Sequence, residues 1–163
     1  MSTPRTWVVG EVVTAAQLNT EIRDQFNDVF ASWSTYTPTW TASTNPTIGN
    51  GTITGRYKLI GKTCLAAAQV TIGSTTTLGS GQYSISLPVA PRSAAPDQRV
   101  MVGVRRNSDG SRWVGDARAT ASTITLGIYA GAASGSHVAL TGTTPISLAA
   151  SDSITLTGTY EAA

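Results

Sequence analysis

The sequence predicts a mainly β protein: an N-terminal extended arm and a single α-helix, followed by an antiparallel β-sandwich of jelly-roll type, assembled as a homotrimer. Three observations predict the β character. No glutamate lies between Ile22 and Tyr160, and serine and threonine take its place, which suits strands with solvated hydroxyl faces. Short runs of alternating apolar and polar residues recur from Tyr36 onward, separated by Gly, Pro and Asn-Gly turn signals. One stretch alone, "TAAQLNTEIRDQFNDVFASW" at 14–33, carries a sustained helical period. The 163 residues suffice for one domain with an appendage. The resulting division is a docking arm over 1–13, a helix over 14–33 and a β knob over 36–163.

The arm, "TPRTWVVGEVV", is extended by composition, with Pro4, Gly10 and several β-branched residues. Trp7, Val8, Val9, Val12 and Val13 are its candidate docking residues, since nothing in it can bury them locally. The helix has a start signal: Thr14 and Gln17 fit a capping box, with Val13 and Leu18 as a hydrophobic staple around it. Ala15, Leu18, Ile22, Phe26, Val29 and Trp33 form one apolar stripe, and Asn19, Glu21, Arg23, Asp24, Asn27 and Asp28 fill the other faces. A helix of this length is marginal alone in water, so the stripe needs cover. That cover is either the chain's own β domain or copies of itself. Ala15, Leu18, Ile22, Gln25 and Val29 follow a heptad pattern, over too few heptads to prove a coiled coil. Leu18, Ile22, Phe26, Val29 and Trp33 are the candidate residues for oligomerisation or docking.

Across the β region, "YTPTWT" leads in, Asn50-Gly51 signals a hairpin turn and Ile60-Gly61-Lys62 a second turn. "KTCLAAAQVTI" reads as a strand whose small residues lie close to another sheet. "GQYSISLPV" places Tyr83, Ile85 and Leu87 on one face, and Pro88, Pro91 and Pro96 end it. "RVMVGVRRNSDGSRWVGDARAT" is the clearest hairpin, turning at Asn107 to Gly110. "STITLGIYAG", "HVALTG" and "DSITLTGTYEA" supply the remaining strands, with Ile124, Leu126, Ile128, Ile154, Leu156 and Tyr160 facing inward.

Charge and special residues exclude several functions. Eleven Lys plus Arg against nine Asp plus Glu is too weak a balance to indicate a nucleic-acid partner. The arm and helix are net acidic, with two arginines against four carboxylates, and the remainder is net basic. The lone Cys64 excludes an intrachain disulfide and a multi-cysteine zinc site, and reads as a small buried residue. No run approaches the roughly 18 apolar residues of a membrane helix. "MSTPRTWVVGEVV" has neither the basic start nor the apolar core of a signal peptide, which points to synthesis in a cytoplasm.

Catalysis is not expected. His137 could be grouped with Ser134 or Ser136 and Asp152 as a hydrolase triad, but no nucleophile-elbow motif surrounds either serine. A glycan-cleaving pair would have to come from Asp97, Asp109, Asp116 and Asp152, and the first two lie in turn-like stretches. No calcium loop, metal cluster or phosphate cradle is evident, so no cofactor or metal is expected. Arg99, Arg105, Arg106, Arg112 and Arg118, with Trp113, form the one basic-aromatic cluster. Arg105, Arg106, Arg112 and Trp113 are the candidate patch for a cell-surface glycan or a neighbouring subunit, although alternation sends Arg105 and Arg106 to opposite faces.

"TWVVGEVVTAAQLNTEIRDQFN" resembles the N-terminal segment of small structural proteins from tailed phages of actinobacteria. "YTPTWTASTNPTIGNGTITGRYKLIGKT" resembles the start of their β domain; the two segments together cover roughly a third of the chain. The resemblance implies a non-enzymatic component of the virion surface, often a homotrimer, with the N-terminal segment docking on major capsid or tail proteins. The β domain would face outward, with weak adhesion to a host cell-surface glycan as an added role. The absence of a long shaft favours a head fibre or decoration protein over a minor tail or receptor-binding fibre-tip protein. A small carbohydrate-binding β module of non-viral origin is the reading from another class, and the arm and helix speak against it.

Overall fold

The computed structural model describes residues 5–93, 97–130 and 136–163. The first four residues of the arm, Pro96 and Ser134 lie outside the described residues. The architecture is mainly β and antiparallel, with one short helical rod at its N-terminal end.

The rod starts where the capping box predicts. Thr14 accepts from the Gln17 amide at 3.3 Å, and the Gln17 side chain accepts from the Thr14 amide at 2.8 Å. It runs as α1 (Ala15–Leu18), a π-helical segment Asn19–Arg23 and α2 (Asp24–Phe30). The π segment was not legible in the spacing, and it interrupts the heptad pattern between Leu18 and Gln25. The rod also ends earlier than predicted. Lys58 donates its ammonium to the Ala31 carbonyl, and Arg56 lies 5.3 Å from the Trp33 ring centroid, so Trp33 is drawn out of the stripe onto the sheet edge.

Among the described residues eleven strands follow: β1 (Ser34–Tyr36), β2 (Trp40–Thr41), β3 (Thr52–Ile60), β4 (Thr63–Thr71), β5 (Ser84–Ser86), β6 (Arg99–Arg105), β7 (Arg112–Arg118), β8 (Thr123–Thr125), β9 (Gly127–Ala130), β10 (Ser136–Ala139) and β11 (Ser153–Glu161). One sheet has the order β1-β3-β4-β11-β6-β7. Facing it are the β2-β5-β8 sheet and the β9–β10 hairpin. These two are joined where Tyr83 donates to Leu140, Leu140 to Leu126 and Leu126 to Tyr83 through the backbone.

Period-two alternation places the core between the layers. Cys64, Ala66, Ala68 and Val70 of β4, Ile154, Leu156 and Tyr160 of β11, and Val100, Val102 and Val104 of β6 turn inward. They meet Ile85, Ile124, Leu126, Ile128 and Leu140 in one cluster that also contains Tyr83. Among the described residues of the arm and rod, none is buried, and burial begins at Pro38 and Trp40. The β3–β4 hairpin turns at Gly61-Lys62 with Gly61 at φ 59°, a left-handed conformation natural to glycine in a two-residue loop. Asn50-Gly51 is a turn but joins no hairpin. The Asn50 side chain instead accepts from the Thr75 amide and donates to Ser74, tying this turn to the loop after β4.

Candidate functional site

The arm folds back along the polar side of the rod. Arg5 pairs with Glu11 at 2.6 Å, the Arg5 amide donates to Glu21 at 3.2 Å, and the Gln17 amide group donates to Glu11 at 3.3 Å. The Arg5 guanidinium also lies 4.9 Å from the Trp7 ring centroid. Polar contacts thus occupy the hydrophilic flank and leave the apolar one bare. Trp7, Val8, Val9, Val12 and Val13 are all exposed, as are Leu18, Ile22, Phe26 and Val29 on the rod. Val9 is fully exposed, and Phe30, absent from the predicted stripe, is 81% exposed. The rod buries no residue, so the β domain of its own chain does not cover it. An exposed apolar surface of this kind is the strongest candidate contact surface among the described residues.

The basic-aromatic cluster divides between two sides of the sheet. Arg105 and Arg112 are cross-strand partners on its outward face. Arg106 pairs with Asp109 at 3.2 Å and stands 5.5 Å from the half-buried Trp113 ring, so those two form a local hairpin contact. The side chains of Arg105 and Arg112 make no hydrogen bond or ion pair among the described residues, whereas Arg99 and Arg118, the other opposed pair of this ladder, share Asp97 at 2.9 and 2.6 Å.

A second polar constellation was missed in the sequence. Asp116 accepts from Arg99 at 2.8 Å and from the Tyr129 hydroxyl at 2.5 Å, and His137 Nε2 is 3.3 Å from it. Burial works to raise the Asp116 carboxyl, but the hydrogen bonds from Tyr129 and Arg99 outweigh it and hold the group below its ordinary range. His137 also packs edge-on against Tyr129, with ring centroids 5.3 Å apart. These contacts fasten the β9–β10 hairpin to the edge strand β7 and use both Asp116 oxygens. Among the described residues, His137 and Asp152 have different partners. Asp152 is buried and accepts from the Asn107 and Ala149 amides at 2.8 and 2.9 Å, holding two loops together, and the carboxylate beside His137 is Asp116. Ser134 lies outside the described residues.

Among the described residues, no group of three or more His, Cys, Asp or Glu is placed to hold a metal ion. Nor is any helix of the described residues long and apolar enough to cross a membrane. Cys64 is buried and free, with burial pushing its thiol up from the usual range. No protein family model, no curated protein and no solved structure matches this chain.

Proposed function

We propose that this chain is a non-enzymatic structural protein of a tailed-phage virion. It docks on the particle through residues 1–33 and displays a jelly-roll-type β domain outward, as a homotrimer. One observation carries this reading. Every large apolar side chain described in the arm and rod is exposed, from Val29 at 39% to Val9 at 103%, while the β domain closes its own core without them. A free binding module has no use for such a segment, because exposed apolar residues favour aggregation unless a partner covers them. The resemblance of the N-terminal segment to actinobacteriophage structural proteins supplies the partner class, a major capsid or tail protein. The short link between Phe30 and β1, with no shaft, favours a knob close to the particle surface and hence the head. The experiment is imaging of intact particles with the chain labelled at its C-terminal end. Label at regular positions on the capsid shell supports the reading, label at the tail tip moves the protein to the tail, and absence from particles refutes it.

A further inference from the structure

The outward face of the six-stranded sheet carries a groove. Two hollows of about 400 and 310 Å³ lie end to end on it and share Gln69 and Thr155, and each is of the size that holds a small ligand. Period-two alternation builds the floor: Thr54, Gln69, Thr155 and Gly103 are successive neighbours across β3, β4, β11 and β6, and Ala67 pairs with Thr157 in the next row. Small side chains keep this floor low, and the hydroxyl and amide groups can both donate and accept. Arginines stand at its two ends, Arg56 at one and Arg105 with Arg112 at the other. The strand and residue spacings of the ladder set Arg56 and Arg105 about 20 Å apart. Among the described residues no carboxylate lines either hollow. Asp116, opposite Met101 on the same face, is already held by Arg99 and Tyr129.

What the Arg105–Arg112 pair lacks is visible at the other end of the same two strands. Arg99 and Arg118 are opposed in the same way, and the Asp97 carboxylate sits between them, accepting from one Nε at 2.9 Å and from the other at 2.6 Å. Like charges directly opposed are destabilising, and a shared carboxylate turns the repulsion into two charge-assisted hydrogen bonds. The Arg105 and Arg112 side chains have no such anion among the described residues, and they open onto the groove. The Arg56 guanidinium likewise meets the Trp33 ring and no carboxylate.

The floor selects the class of anion. A single-stranded nucleic acid needs cations along its whole track and aromatic platforms for its bases. Here the cations stand at the ends, and the ring at the margin, Trp113, is engaged with Arg106. A protein partner needs an apolar centre, whereas this centre is hydroxyl and amide with Met101 and Val114 to one side. A polysaccharide offers hydroxyls to Gln69, Thr155 and Thr157, and its uronate residues offer carboxylates to the arginines.

We infer that this groove binds an extended carboxylated polysaccharide, with one uronate carboxylate held between Arg105 and Arg112 as Asp97 is held between Arg99 and Arg118, and the chain running on towards Arg56. The site belongs to the β domain and is independent of docking through residues 1–33. It replaces the patch predicted from the sequence, since Arg106 is occupied with Asp109 and Trp113.

The test is calorimetric binding of the full chain to polygalacturonate, with dextran, poly-glutamate and a single-stranded oligothymidylate as comparisons. Polygalacturonate should bind, dextran should not, and the other two should bind at least about tenfold more weakly. No binding of polygalacturonate, or equal binding of poly-glutamate or the oligonucleotide, would overturn the inference. Arg105→Gln with Arg112→Gln should weaken binding about tenfold or more, the loss expected for one charged hydrogen bond. The same variant should melt no lower than wild type without ligand, because it relieves a repulsion. The charge-matched Lys62→Gln with Arg92→Gln, outside both hollows, should bind as wild type does. Equal loss in the two double variants would reduce the effect to net charge and overturn the site. Arg56→Gln should weaken the polymer but not digalacturonate, which is too short to reach both ends; an unchanged affinity for the polymer would contradict the extended register. Particle incorporation of the Arg105→Gln, Arg112→Gln chain should stay at the wild-type level, which keeps failure of this site distinct from failure of the virion reading.

Discussion

Tyr129 donates its hydroxyl to Asp116 at 2.5 Å, and that bond, with Arg99 on the other carboxylate oxygen, clamps the β9–β10 hairpin against the end of the main sheet. Asp116→Asn keeps the shape but removes the charge from both hydrogen bonds. The loss is expected to be about 1–3 kcal/mol, the range for hydrogen bonds to an ionised group. Amide exchange should locate it: protection should fall first in β9 and β10 and much less in β4 and β11. Uniform loss across the fold would contradict a local clamp.

The same carboxylate gives a pH dependence. Its folded-state pKa lies below the unfolded value, so its contribution is fully present above the unfolded pKa and is lost as pH falls through the folded one. Acid titration of wild type should therefore loosen the hairpin below about pH 4, a range set by the unfolded carboxylate value. Asp116→Asn should lack that component of the transition.

Gly115 faces Gly127 across the junction of β7 and β9. A Cβ built on it would lie 2.0 Å from the Gly127 carbonyl oxygen, and backbone cannot rotate away as a side chain can. Gly115→Ala is thus expected to destabilise by about 1–3 kcal/mol through forced separation of the two strands. Thermal unfolding should show it; a wild-type midpoint would mean that the junction is loose.

Ile22 and Leu156 separate assembly from folding. Leu156 is fully buried at the centre of the core, and Leu156→Ala should cost about 2–5 kcal/mol of stability. Ile22 is 47% exposed in the single chain, so Ile22→Asp should leave the unfolding of the β domain near wild type while reducing self-association and incorporation into particles. Normal assembly of Ile22→Asp would show that the stripe is not a contact surface.

Local signals were read well where they were local. The Thr14–Gln17 box, the Tyr83-Ile85-Leu87 face and the Arg99–Arg118 hairpin each depend on residues within a few positions, and the structure places them as their spacing predicts. Asn50-Gly51 misled because a turn dipeptide fixes a reversal but not its partner; here the partner is the Ser74–Thr76 loop, more than twenty residues away. The π segment has no compositional signature, and the end of the rod is decided by Lys58 and Arg56 from another element. Asp116, Tyr129 and His137 come from three strands, so their meeting depends on tertiary packing and left no mark in the spacing. The apolar run of the arm was legible as composition, but its turn was not: Gly10 sits at φ 84° and the Glu11 amide donates to the Val8 carbonyl at 3.1 Å.

The most direct test of attachment through the N-terminal segment is particle incorporation of a chain lacking residues 1–13 but retaining the helix and the β domain. Burial begins at Pro38 and Trp40, well after the deleted segment, so this truncation should fold as wild type does. It should also self-associate normally while its copy number on purified particles falls to background. Incorporation at the wild-type level would contradict the claim and show that the β domain itself holds the protein on the virion.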